Sequence, residues 1–167
     1  NDTQLTLSQL GFNSPTFDIE FHPLSDFSSS GIDAVIFKIE INKGTGMKPL
    51  SECASGGELS RILLAFYSVF SKFTDNKLML FDEIDTGVGG LTANTMGKLL
   101  HNISKSHQVF CITHLVQIAS ISDFHLSISK KELNNKTFTD AQYVDNDLES
   151  NELIRMMGGK ELLSELK

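Results

Sequence analysis

The most restrictive feature of the chain is a pair of short apolar runs that stop abruptly in polar side chains. Leu78-Met79-Leu80-Phe81 ends in Asp82-Glu83-Ile84-Asp85, and Val109-Phe110-Cys111-Ile112 ends in Thr113-His114. Continuous apolar runs of this length suit strands covered on both faces. Each follows a segment of helical period: residues 58–73, apolar at 59, 62, 63, 66, 69, 70 and 73, and residues 91–104. A short helix over 115–121 and a further strand over 125–129 continue the alternation. Helices between buried strands require crossover connections, so the expected class is α/β, a mainly parallel sheet flanked by helices. Upstream, residues 17–21 alternate with period two and residues 35–41 are apolar at 35, 37, 39 and 41. They predict an N-terminal antiparallel β ribbon, with a Ser/Gly loop over 25–31 and a Gly-rich loop over 42–49. The acidic, Asn-rich stretch 132–150 reads as a strand plus loop. Two short helices, broken at Gly158-Gly159, are expected to close the chain.

Bulk properties narrow the function classes. The chain has 167 residues, enough for one core, and a net charge of −7. Gripping nucleic acid by charge alone needs clustered Lys and Arg, so an autonomous electrostatic DNA clamp is disfavoured. No apolar run approaches the roughly 20 residues of a membrane span. The polar start Asn1-Asp2-Thr3-Gln4 does not resemble a signal peptide, and without an initiator Met the sequence reads as a fragment or processed product. Cys53 and Cys111 have neither metal-ligand nor disulfide spacing, and Cys111 lies in an apolar run as a buried thiol would. A reducing, cytoplasmic compartment is expected.

Three constellations carry chemistry. Ser55-Gly56-Gly57-Glu58 opens the first long helix, and Ser55 with Glu58 satisfies a capping box. A cap explains those two residues but not the paired glycines, which let a ligand approach a helix N-terminus whose amides and dipole attract phosphate. The second is the strand-end cluster Asp82, Glu83 and Asp85, where a solvated acidic turn is the plain alternative. Ligands of open α/β sheets bind outside the carboxyl ends of strands, and neighbouring carboxylates can divide the tasks of holding Mg²⁺ and handling a water. Adjacent on a strand, Asp82 and Glu83 are expected to point different ways. The third is His114, expected at the same sheet edge; alone it would be an ordinary surface His, but there an imidazole can hydrogen-bond a γ-phosphate. Thr86-Gly87-Val88-Gly89-Gly90 reads as a tight loop. No G-x-x-x-x-G-K-[ST] occurs, and Gly44-Thr45-Gly46-Met47-Lys48-Pro49 has Pro where a Mg²⁺-binding hydroxyl would stand. A phosphate-gripping lobe is therefore expected from elsewhere.

In this order the motifs resemble the ATP-binding-cassette ATPases: Ser55 to Ser60 is similar to their signature motif, Leu78 to Glu83 to Walker B with its catalytic Glu, Asp85 to the start of the D-loop, and His114 to the switch histidine. Four longer runs narrow the likeness to the RecN family of the SMC-like branch, where a long coiled coil separates the P-loop from the signature. They are Ala54 to Arg61, Phe81 to Gly90, Gln108 to Leu115 with the following Val116 to Ala119, and Arg155 to Gly159. Val116 stands where family members usually carry Pro. The resemblance implies that residues 1–14 end a helical coiled-coil arm and that residues 15–167 form the C-terminal lobe of an ATPase head. It implies ATP and Mg²⁺ as cofactors, with Asp82 on the metal, Glu83 polarising water and His114 on the γ-phosphate. Ser55, Gly56, Gly57, Glu58 and Asp85 would serve nucleotide held across a homodimer of heads. Its partners would be an N-terminal P-loop lobe of the same protein, a second head, and DNA during double-strand-break repair, without an assigned DNA contact on this lobe. Three other readings compete: a DExD-type helicase fragment, a nuclease using Asp82, Glu83 and Asp85 around two metal ions, and a lobe that only dimerises.

Overall fold

Alternation in the first third of the chain builds a ribbon longer than its apolar pattern. In the computed structural model, which describes residues 2–52, 55–74, 77–133 and 136–159, β1 (Thr16–Ser28) and β2 (Gly31–Glu40) pair antiparallel. Pairing runs from Thr16↔Glu40 to Ser28↔Gly31, with an irregularity between Pro23 and Ser28, where a residue without an N–H is tolerated. The loop expected over 25–31 thus shrinks to Ser29-Ser30. The Ser28 hydroxyl donates to the Gly31 carbonyl at 2.8 Å, and Gly31 adopts φ +122°, a conformation that a Cβ would oppose. The Gly-rich loop after β2 returns a short β3 (Lys48–Pro49) to the ribbon edge. Its amides already have an anion: Gly44 and Gly46 N–H donate to Glu40 Oε1 at 2.8 and 3.1 Å, and these bonds lower the Glu40 carboxyl pKa.

The chain divides into two compact units, residues 1–112 and 113–167. In the first, α1 (Asp2–Gln9) packs on α2 (Gly56–Phe70), and Leu7, Leu10 and Phe12 are buried there. Helix α2 starts before its apolar period because Gly56-Gly57 carry no apolar signal; beyond Phe70 the backbone tightens into a 3₁₀ turn, Ser71–Phe73. Phe66 of α2 meets the ribbon edge-on through Phe17, with ring centroids 4.9 Å apart, and Phe37 completes the cluster. Helix α3 (Gly90–Ser104) buries Ala93, Met96, Gly97, Leu100 and Ile103, a single face, and packs on α2.

Strands β4 (Leu78–Phe81) and β5 (Gln108–Cys111) are parallel, in register from Leu78↔Gln108 to Phe81↔Cys111. His107, buried, fastens their amino ends. Its Nδ1 accepts from the Lys77 N–H at 3.2 Å, so Nε2 carries the proton and donates to the Ser71 carbonyl at 3.2 Å. Met79 and Phe81 are buried, whereas Leu78 and Leu80 on the other face are 67% and 68% exposed, with Phe110 of the neighbouring strand and Ile112 just beyond it exposed too.

In the second unit, α4 (Val116–Ala119) begins at Val116, the first helical position, where Pro also fits and where Val loses little. The strand expected over 125–129 extends as β6 (His125–Leu133) and pairs antiparallel with β7 (Lys136–Val144), not with the parallel strands. The strand part of the stretch expected as strand plus loop over 132–150 is β7. Asp145 then caps α5 (Asn146–Met156), its Oδ1 accepting from the Leu148 N–H at 3.1 Å. The α/β class and the N-terminal ribbon stand. Among the described residues, parallel pairing is confined to β4–β5. Cys53, Ala54 and the closing helix expected after Gly159 lie outside the described residues.

Candidate functional site

The signature-like segment and the acidic strand end come together in the first unit because α2 lies across the exit of β4. Ser55 is the N-cap of α2, its Oγ accepting from the Glu58 N–H at 3.2 Å. At the end of β4 the chain does not continue as a strand. Glu83 takes φ +54°, and a turn closes where the Thr86 N–H donates to the Glu83 carbonyl at 3.1 Å. Glu83 thus leaves the strand conformation, and the alternation expected of Asp82 and Glu83 on a strand does not apply to this pair. The Asp82 carboxylate accepts from the Glu83 N–H at 2.9 Å; Asp82 and Glu83 are exposed and Asp85 is buried.

The glycines of the signature segment have a second use within the chain itself. A Cβ on Gly57 would lie 2.9 Å from the Glu83 carbonyl and 3.2 Å from Thr86 Cβ, so only a bare backbone lets the helix seat against the turn. A Cβ on Gly56 would lie 3.2 Å from Glu83 Oε2, which places that carboxylate beside the positive end of α2.

Two further side chains fasten helix to turn. The Ser60 hydroxyl donates to the Asp82 carbonyl at 2.9 Å, and Arg61 Nη1 donates to the carbonyls of Thr86 at 2.8 Å and Ile84 at 3.4 Å. Sequence reasoning gave neither residue a role. The available signal was an Arg inside an otherwise apolar helix, two turns or less from its N-cap.

Cys111 pairs with Phe81, so the ends of β4 and β5 lie at one edge. Burial, then the charges of Asp85 and Asp82, push the Cys111 thiol up to about 12, which keeps it protonated and inert. His114 stands three residues beyond β5, exposed, at the start of the second unit; Thr113 Oγ1 accepts from the Leu115 N–H at 3.0 Å just after it. The structure thus joins Ser55, Gly56, Gly57 and Glu58 to Asp82, Glu83 and Asp85, and His114 belongs to the other unit. Among the described residues no three His, Cys, Asp or Glu side chains converge as metal ligands. The donor set suits a different group, magnesium with a polyphosphate: hard carboxylate oxygens stand beside a helix N-terminus.

No family model matches the chain. It is 38% identical over 160 residues to the DNA repair protein RecN of Halalkalibacterium halodurans, covering 93% of this chain and 28% of that protein. With RecN of Bacillus subtilis the identity is 39% over 171 residues, covering 93% of this chain and 30% of the relative. The chain is a relative of the RecN proteins. It spans less than a third of the length of these relatives. Among solved structures, the Smc head domain with coiled coil and joint from Pyrococcus yayanosii superposes with TM-score 0.64 at 18% identity, over 92% of this chain and 28% of that one. The Smc head from Pyrococcus furiosus gives 0.58 at 20% identity, over 92% and 37%. The fold is that of part of an SMC-type head.

Proposed function

We propose that this chain is the signature- and Walker B-bearing lobe of a RecN-like ATPase head acting in repair of DNA double-strand breaks. The observation that carries the proposal is the seating of Gly56-Gly57 against the Glu83 turn, which brings the helix N-terminus and the acidic strand end together. The remaining parts are an N-terminal P-loop lobe of the same protein and a second, identical head. The working compartment is the bacterial cytoplasm; no helix among the described residues is long and apolar enough to cross a membrane. DNA is engaged by the whole protein, and the net charge of −7 gives this lobe no general electrostatic hold on it.

Bound magnesium–ATP supplies the phosphoanhydride and the charge neutralisation for its cleavage. Asp82 holds the metal. Glu83 orients the attacking water and accepts its proton at the carboxylate, a role for which its exposure leaves it accessible. His114 donates to the γ-phosphate. Ser55 and the amide of Gly57 contact nucleotide carried by the other head, with Gly56 and Glu58 shaping that end of α2. Asp85 links the two sites.

In the full-length protein, Glu83→Gln is expected to preserve ATP binding while lowering turnover by about 100-fold or more, measured as phosphate release beside nucleotide affinity. Turnover near the wild-type rate would remove Glu83 from the mechanism. The same preparation mixed with labelled DNA and Mn²⁺ tests the nuclease reading, which robust cleavage would favour.

A further inference from the structure

A non-glycine residue at positive φ is strained and persists only where its surroundings over-determine it. Glu83, at φ +54°, is such a residue, and it is the one proposed above to handle the water. The surroundings that hold it are carbonyl contacts on alternate residues. Ser60 takes the carbonyl of Asp82, and Arg61 takes those of Ile84 and Thr86. Both donors come from the first two turns of α2, the helix whose Gly57 already lies against the Glu83 carbonyl.

Arg61 is itself held from the far side. Its guanidinium carbon lies 5.4 Å from the centroid of the Phe12 ring, a cation–π distance, and Phe12 is buried. Phe12 follows α1 directly, and its N–H donates to the Leu7 carbonyl at 3.3 Å. One half-buried cation therefore touches both the exit of α1 and the turn that carries the acidic cluster.

We infer that Arg61 is a positioning residue: by holding the carbonyls on either side of Asp85 and resting on Phe12, it fixes the backbone turn that presents the Glu83 side chain and ties that turn to the end of α1. The inference rests on the assignment of Glu83 as the residue that orients water. A charge-assisted bond from a planar fork suits the task, because Arg holds two carbonyls in fixed relation where Lys offers a flexible point charge.

The test uses the full-length protein with Arg61→Met, Arg61→Lys and Phe12→Leu, beside Glu83→Gln. Displacing a catalytic group by an ångström costs on the order of 10- to 100-fold in rate, so Arg61→Met is expected to lower kcat by that factor with KM for ATP within about threefold. Arg61→Lys regains part of the loss, and Phe12→Leu shows a smaller loss in the same direction. A readout independent of turnover accompanies these: amide hydrogen exchange of the peptide spanning residues 82–88 is expected to accelerate in Arg61→Met while peptides of α3 and the β ribbon keep the wild-type rate. Unchanged kcat and unchanged exchange in Arg61→Met, with Glu83→Gln inactive, overturn the positioning role alone. Accelerated exchange across the whole unit, with no recovery in Arg61→Lys, reduces Arg61 to a packing residue and also overturns it. Normal turnover in Glu83→Gln overturns the reading of Glu83, and the inference falls with it.

Discussion

At the scale of single residues, the two signature glycines separate two demands that look alike in sequence. Both sit at the start of a helix, where replacing Gly by Ala gains about 0.5–1 kcal/mol of helix propensity. At Gly56 the new methyl would meet only the mobile end of the Glu83 side chain at 3.2 Å, which can swing away. At Gly57 it would meet the Glu83 backbone carbonyl at 2.9 Å, inside a turn already held by Ser60 and Arg61. Gly56→Ala is therefore expected to leave the unfolding free energy of the isolated chain, from urea titration, within about 0.5 kcal/mol of wild type or slightly above it, and Gly57→Ala to lower it by about 1–3 kcal/mol through overpacking. Equal effects from the two substitutions would show that the close approach of α2 to the turn is not a packing constraint. Ligand approach, the motive read from sequence for both glycines, is thus joined at Gly57 by a requirement internal to the chain. Cys111 shows the opposite case. Its place in an apolar run already indicated an inert thiol, and the nearby Asp85 and Asp82 only reinforce what burial does.

At the scale of elements, α5 is tied to β6 by charge. Arg155 forks onto Glu152 with two bonds of 2.7 Å, and His125 Nε2 of β6 lies 4.0 Å from the same carboxylate, which also bonds Ser127. The bond from Arg155, more than anything else, holds the Glu152 carboxyl at about 2 instead of 4.5. A depressed carboxyl contributes stability that is complete above its unfolded value and lost as pH falls through its folded one. Wild type is accordingly expected to exceed Glu152→Gln by about 1–2 kcal/mol near neutral pH, the exposed Arg155 being screened by solvent, and to lose that lead between pH 4.5 and about 2. Urea unfolding of both proteins across that window checks it; a lead independent of pH would exclude the ion pair as its source. How far such elements were legible follows from their signals. Residues 78–81 and 108–111 were readable because continuous apolar runs bounded by charge have few alternatives, and α3 because one face carries every buried side chain. The extent and partner of β7 were hidden within a stretch legible only as strand plus loop, since Thr137, Thr139 and Asp140 give no apolar face until Ile128 and Leu126 pair opposite Ala141 and Tyr143. The turn at Glu83 was equally hidden: nothing in Asp82-Glu83-Ile84-Asp85 announces a left-handed Glu, which is imposed by α2 from 22 or more residues away in sequence.

At the scale of the whole molecule, the open face of β4 and β5 and the missing phosphate-gripping motif point the same way. Parallel strands are normally covered on both faces, yet here Met79 and Phe81 are buried while Leu78, Leu80, Phe110 and Ile112 form an apolar patch facing outward. The relatives extend far beyond the aligned segment, and the P-loop lobe proposed above would cover this face. Leu80 separates that account from a surface merely tolerant of apolar residues. Replaced by Thr, which keeps β propensity and lowers hydrophobicity, an exposed residue costs within about 0.5 kcal/mol, whereas one buried against a second layer loses about 1–3 kcal/mol of transfer and packing energy. Leu80→Thr is therefore expected to leave the isolated chain's unfolding midpoint nearly unchanged and to destabilise the full-length protein by that larger amount, with Phe110→Thr behaving alike. Paired urea titrations on the two forms measure the difference directly. Equal, small costs in both would mean that the face stays open in the longer protein, and the proposed lobe would then have to join the sheet by its edge, where the backbone of β4 and β5 offers hydrogen bonds that no Leu→Thr substitution touches.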